Sequence, residues 1–347
     1  MLKNKFKSAI LVKQRQKLKV IDIENPQKLE KGQVLVKIYS ASICGAQIGE
    51  IEGIKGKDKW LPHCMGHEGY GLVISKNKFV KKININDHVV MHWRKGNGIN
   101  AVGAKYKSKI GLINAGQVTT FQEFAVVSEN RLTKIKSSKK LTKLIPLLGC
   151  AIPTSWGLLV NEAKFKREDS LLIFGAGGLG VTTGLIAKIL GCKDILLVDR
   201  YKSKQNLLKG LGIKFLLYKT YLKSKKKSFS LVIDTTGSTE VISEAFNSTG
   251  KNGKLVLVGQ PKKNSRLKIF DPIRLFNPPN DNIKIFSSDG GLFNPSKHMQ
   301  IIYSLLIKNY KKFNKLITNT IKLKNINHGI DLIKKGKEIR VCIEFQK

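Results

Sequence analysis

Residues 170–200 read SLLIFGAGGLGVTTGLIAKILGCKDILLVDR, and this stretch decides the fold. SLLIFG is an apolar run of strand length, and GAGGLG is a glycine turn. LGVTTGLIAKIL follows as a helix that Gly191 stops, and KDILLVDR is a second apolar strand. Buried parallel strands read as continuous apolar runs, without strict alternation. The same rhythm continues through FSLVIDTTG (229–237), TEVISEAFNSTG (239–250), GKLVLVG (253–259) and IKIFSS (283–288). The pattern predicts a doubly wound α/β domain with a parallel sheet.

Working outward, the chain changes character on both sides. GQVLVKIYSASICG (32–45), HEGYGLVISKN (67–77) and DHVVMHW (87–93) are short Val- and Ile-rich segments with turns between them. The chain beyond Gly291 holds a long amphipathic helix over 296–313, a helical KNINHGIDLIKKGK and a final strand IRVCIEF. This segment leaves the sheet pattern and is expected to return to the first domain. The expected division is 1–152, mainly β and completed by 291–347, and 153–290, the α/β domain. The charged run TYLKSKKKSF (220–229) reads as a solvated surface loop.

Gly175, Gly177, Gly178 and Gly180 fit the GxGxxG pattern in the context that gives it meaning, after a strand and at the start of a helix. Gly175 permits the tight turn, Gly177 lets the backbone approach a pyrophosphate, and Gly180 allows close helix–strand packing. The helix start then offers its N–H groups to the diphosphate. Asp199 ends the next strand, 19 residues after Gly180. Its carboxylate suits ribose hydroxyls and repels a 2′-phosphate, which favours NAD over NADP. Arg200 and Lys204 blur that choice, because a cation there meets a phosphate or a ribose equally well.

Three residues ahead of the loop have the chemistry of a catalytic zinc set: Cys44 in ASICGAQ, His67 in PHCMGHEGYG and Cys150 in LLGCAIPTSWG. Two thiolates and one imidazole leave a fourth position open for substrate or water. The five cysteines are odd in number, widely spaced and without a CxxC, so they form no disulfide framework.

With Gly66-His67-Glu68, ICG at 43–45, GC at 149–150, GAGGLG at 175–180 and GKEIR at 336–340 in this order, the chain resembles the zinc-dependent medium-chain alcohol dehydrogenase family. The resemblance covers nearly the whole sequence. It implies a GroES-like, mainly β catalytic domain plus a Rossmann domain. Cys44, His67 and Cys150 look like the zinc ligands, with Glu68 as the carboxylate beside the metal. Thr154 resembles the residue that packs on the nicotinamide. Arg340 resembles the arginine that reaches the cofactor pyrophosphate, and Trp93 an aromatic wall of the substrate pocket. The activity implied is interconversion of an alcohol, a polyol or sugar derivative included, and its carbonyl with NAD.

Three departures from the family pattern matter. The stretch 91–116 lacks the four cysteines that often hold a structural zinc, so one zinc per chain is expected. Ala46 stands where a Ser or Thr usually starts the proton relay, and Gln47 where an acid usually backs the metal-bound imidazole. Glu68, His92 and a water chain remain as proton routes, and His92 reads equally as a buried strand histidine. Arg94 either meets an acidic group of the substrate or lies at the surface.

The formal charge is +39, from 63 Lys+Arg against 24 Asp+Glu. This motivates an alternative reading, a nucleic-acid or anionic-surface binder on an inert dehydrogenase fold. Only eight of those 63 are arginine, however, and the lysines are spread along the chain with no nucleic-acid motif, so no nucleic-acid partner is expected. No apolar run approaches 18 residues, and the apolar stretch near the N-terminus, 9–12, is too short for a secretory signal. A cytoplasmic protein without a membrane partner is expected. The edge strand 283–288 and the resemblance both imply a homodimer.

Overall fold

The computed structural model describes residues 4–224, 227–267, 271–277 and 279–345. Its contacts divide the chain into two units, Met1–Ala151 with Asn294–Lys347, and Ile152–Phe293.

The first unit is built on two β systems. Lys5–Leu11, Lys19–Glu24, Lys105–Ser108, Gly111–Asn114 and His63–Cys64 close into a small barrel. The seven-stranded sheet centres on Gln33–Ser42, which pairs antiparallel with Gly69–Lys76, Phe124–Ser128 and Arg340–Glu344. Gln33–Ser42 is buried on both faces. Val34, Val36 and Ile38 enter one apolar core, while Leu35 points into the other, with Phe6, Ile23 and Tyr106. Alternation along one strand therefore fastens the two systems together.

The hairpin Lys105–Ser108/Gly111–Asn114 occupies the cysteine-free stretch and was not expected from its lysine-rich sequence. Tyr106 and Ile113 are its buried residues, and the Tyr106 hydroxyl accepts from the Val126 N–H at 2.8 Å. Two inward side chains anchor a strand pair whose outer face carries Lys105, Lys107 and an exposed Leu112.

The second unit is a six-stranded parallel sheet in the order Lys214–Leu217, Asp194–Asp199, Ser170–Phe174, Phe229–Asp234, Thr249–Leu257, Lys284–Ser287. The chain moves from Ser170–Phe174 to one side and later returns to its other side. That strand therefore ends at the topological switch point, where open α/β sheets bind ligands. Helix Gly178–Ile189 starts there.

Two local expectations are corrected. The long helix over 296–313 is two helices, Pro295–Lys308 and Tyr310–Asn314. Asn309, with φ −117° and ψ 22°, leaves helical geometry, and its side-chain amide donates to the Leu305 carbonyl. The charged run is not all loop: Tyr218–Lys223 is helical because Tyr221 buries its ring edge-on to Phe174. Lys225 and Lys226 of that run lie outside the described residues.

Candidate active site

Cys44 lies at the end of the central strand, in the N-cap position of helix Gly45–Glu52. Gln47, at the third helical position, reaches back so that its side-chain oxygen accepts the Cys44 N–H at 3.0 Å. The positive end of the helix favours a thiolate there. Backbone bonds from Ser42 N–H to the Glu68 carbonyl and from Ile43 N–H to the Val341 carbonyl set this strand end against the segment holding His67 and against the last strand. Cys150 precedes helix Ala151–Gly157. Gly149 makes its approach possible: a Cβ there would stand 2.7 Å from the Glu68 Cβ and collide with the Met91 carbonyl oxygen.

The metal-ligating atoms of Cys44, His67 and Cys150 lie within 4.8 Å of one another. The Cys150 thiol, hydrogen-bonded to Cys44, holds the Cys44 thiol well below the usual range, and His67 adds to the effect. Cys150 is pushed up in turn by that same bond. Burial opposes a charge on His67, but the adjacent Cys44 thiol more than offsets it and raises its pKa. The Gln47 amide nitrogen contacts Nδ1 of His67, while His67 Nε2 is buried and has no hydrogen-bond partner among the described residues.

Glu68 is fully buried beside this cluster, and burial raises its carboxyl to about 7 even though Arg340 pulls the other way. Arg340 Nη1 donates to Glu68 Oε1 at 3.2 Å. Arg340 therefore stands at the metal-ligand cluster within its own unit. Trp93 is fixed by its N–H on the Gly149 carbonyl, and the Arg94 guanidinium lies 5.2 Å over its ring. His92 is buried just after strand His88–Met91. Its Nδ1 donates to the Arg94 carbonyl and its Nε2 accepts from Thr133, and burial lowers its pKa to about 4.

In the second unit Gly175 turns with φ 97°, a left-handed value that favours glycine. A Cβ on Gly180 would strike the Gly175 carbonyl oxygen, so only glycine packs there. Asp199 Oδ2 accepts the Ala176 N–H at 2.6 Å, tying the strand end to the glycine loop, and Oδ1 accepts from Tyr201. Lys204 is 4% exposed and lies over the Tyr201 ring at 5.4 Å. Burial lowers its pKa. Thr154 is 8% exposed on helix Ala151–Gly157.

Two family profiles match the chain. One is described as an alcohol dehydrogenase GroES-like domain, over residues 30–137, and the other as a zinc-binding dehydrogenase, over residues 178–299. Alcohol dehydrogenase 1 of Solanum tuberosum is 27% identical over 362 residues, covering 94% of this chain and 93% of that protein. The chain belongs to the zinc-binding medium-chain alcohol dehydrogenase family.

Solved structures of related dehydrogenases agree on the fold. Benzyl alcohol dehydrogenase from Acinetobacter calcoaceticus superposes with a TM-score of 0.83 at 23% identity, over 99% of both chains. An alcohol dehydrogenase from E. coli complexed with NADH gives 0.77 at 21% identity, over 99% of this chain and 100% of that one. A zinc-binding dehydrogenase from Sinorhizobium meliloti bound to NADP also gives 0.77, at 17% identity, over 99% of this chain and 100% of that one. No helix among the described residues is long and apolar enough to cross a membrane.

The donor set of this dehydrogenase fits zinc. One nitrogen and two sulfurs converge, and among the described residues the buried Nε2 of His67 has no hydrogen-bond partner. Ala46 carries no group able to pass a proton, and Gln47 supplies an amide where a carboxylate would strengthen the imidazole more. Sequence reading missed a second convergence, Glu50 with Asp58 and His63. Its only signal was a histidine four residues before His67, which the GHE motif overshadowed.

Proposed function

We propose that this chain is a zinc-dependent, NAD-linked oxidoreductase that interconverts an alcohol, such as a polyol or sugar derivative, and its carbonyl by hydride transfer. The observation that carries the reading is the convergence of Cys44, His67 and Cys150 on one point, with no hydrogen-bond partner for Nε2 of His67 among the described residues. These three residues would hold one catalytic zinc, which as a Lewis acid lowers the pKa of an alcohol. The stretch 91–116 has no cysteine for a structural zinc.

The protein's own side chains do the rest. Glu68, with its charge answered by Arg340, sets the field beside the donor atoms. Trp93 would line the substrate pocket, and Thr154 would pack on the nicotinamide. The N–H groups of Gly177, Gly178 and Gly180 would face the pyrophosphate, with Asp199 on the adenosine ribose and Lys204 beside it. The family likeness also gives Arg340 to the pyrophosphate, and its Nε has no partner within its own unit. With Ala46 in the relay position, the proton leaves through water or Glu68.

Among the described residues strand Lys284–Ser287 pairs with one neighbour, and such an edge supports a homodimer. A cytoplasmic location is part of the same reading. The alternative of a nucleic-acid or anionic-surface binder draws only on the +39 charge, and it leaves the donor set and the glycine loop without a use. The test is a screen of the zinc-loaded protein with NAD and NADH against alcohols, aldehydes, polyols and sugar derivatives. Turnover of any such pair supports the reading. Full zinc and NADH binding with no turnover across the screen would overturn it.

A further inference from the structure

The second cluster lies on the segment that links the first two zinc ligands. Glu50 belongs to helix Gly45–Glu52, which starts next to Cys44, while Asp58 and His63 belong to the stretch leading to His67. Nε2 of His63 stands 2.8 Å from Asp58 Oδ2 and 3.8 Å from Glu50 Oε1. One ligand atom from each residue lies within 4.8 Å of the other two. The side chains of His63 and Asp58 are only 9% and 10% exposed, while that of Glu50 is 44% exposed.

The orientation of the ring is the telling observation. His63 Nδ1 lies 2.8 Å from the Cys64 carbonyl oxygen. A carbonyl only accepts, so Nδ1 carries the proton. In the neutral ring Nε2 then directs a lone pair at two carboxylates that are acceptors themselves. Three electron-pair donors meeting in a largely buried place require a cation among them, either an added proton or a metal ion. A ring N–H anchored on a backbone carbonyl is the arrangement that orients metal-bound histidines. Among the described residues neither carboxylate has an ion pair with lysine or arginine, in a chain with 63 basic residues. Burial also holds the Glu50 carboxyl above its usual range, with His63 opposing it.

We propose that Glu50, Asp58 and His63 bind a second divalent transition-metal cation, with water completing its coordination. One imidazole and two carboxylates suit Mn²⁺ or Zn²⁺, and Mn²⁺ competes poorly for the thiolate site. Bound there, the cation ties the helix that follows Cys44 to the segment that leads into His67. It would do for this chain, by other residues, part of what a structural metal does for a lobe. The proposal is independent of the reaction catalysed.

The test uses the whole protein with its tightly held zinc counted by elemental analysis. Mn²⁺ is titrated in, and the free ion is read by electron paramagnetic resonance. We expect one saturable Mn²⁺ per chain with the zinc count unchanged. Affinity should be at least tenfold weaker in Glu50→Gln and in His63→Gln. Mn²⁺ should raise the melting temperature of the unaltered protein and not that of Glu50→Gln. Glu50 is half-exposed, so its variant stays interpretable if His63→Gln fails to fold. No saturable Mn²⁺ binding by the unaltered protein, or equal binding by Glu50→Gln, would overturn the proposal and leave the cluster an ion pair with protonated His63.

Discussion

Arg340 donates through Nη1 to Oε1 of Glu68 at 3.2 Å, with the two side chains 3% and 0% exposed. The pair joins residues 272 positions apart, one next to His67 and the other at the start of the last strand. Removing one partner of a buried pair costs more than the pair contributes, because a charge is left unanswered. We therefore expect Arg340→Gln to lower stability by about 3–5 kcal/mol. Urea unfolding of the metal-free protein would measure it, and a loss below about 1 kcal/mol would show that Glu68 takes up a proton once Arg340 is gone.

The zinc set makes a sharper statement. Cys150→Ser is expected to drop zinc well below one per chain and alcohol turnover at least about 100-fold. Elemental analysis reads the first and steady-state kinetics the second. Unchanged zinc in the variant contradicts the ligand assignment.

His92 gives a pH signature. Its pKa is lowered to about 4 in the folded state, so the unfolded chain binds more protons between the ordinary histidine value and that figure. Stability from this group is present above about pH 6.5 and is lost as pH falls through 4, by about 3 kcal/mol in total. His92→Gln, which can still meet Thr133 and the Arg94 carbonyl, should flatten that part of the stability–pH curve. An identical acid limb in the two proteins would refute the assignment.

Asp199 should set the cofactor ratio. Asp199→Ala removes the charge that opposes a 2′-phosphate and also frees the Ala176 N–H. The ratio of kcat/KM for NAD over NADP is expected to fall at least about tenfold, about 1.4 kcal/mol. A ratio already favouring NADP in the unaltered protein reverses the assignment.

Ala46→Ser restores a hydroxyl at the relay position. With the zinc content intact, oxidation of simple primary alcohols should rise about tenfold or more, within the range of general acid–base help. An unchanged or lower rate would mean that the natural substrate brings its own proton route.

The α/β unit was legible because its signals are local. A strand, a glycine turn and a helix follow one another within 170–189, and each residue type has one reading there. The convergence of Cys44, His67 and Cys150 was legible only through flanking glycines and the family order, since the three are brought together by long-range pairing. Three features were hidden. The Lys105–Ser108/Gly111–Asn114 hairpin rests on Tyr106 and Ile113 alone, and the break at Asn309 has no proline or glycine to announce it. The Glu50–Asp58–His63 convergence depends on a helix turning back at Gly53, whose φ of 68° no sequence period reports.

The order of strands in the first unit bears on how the molecule is made. Arg340–Glu344 pairs with Gln33–Ser42 and with Ile317–Ile321, so the sheet beside Cys44 is finished only after the whole α/β unit has been made. The α/β unit, Ile152–Phe293, is one uninterrupted segment and can fold while translation continues. The metal-ligand unit cannot: until Arg340 leaves the ribosome, Glu68 has no counter-charge and the strand end at Cys44 lacks its neighbour at Val341. On the proposed reading, metal loading would follow the synthesis of Arg340, and truncation of strand Arg340–Glu344 should yield a chain with a sound α/β unit and no tightly held zinc.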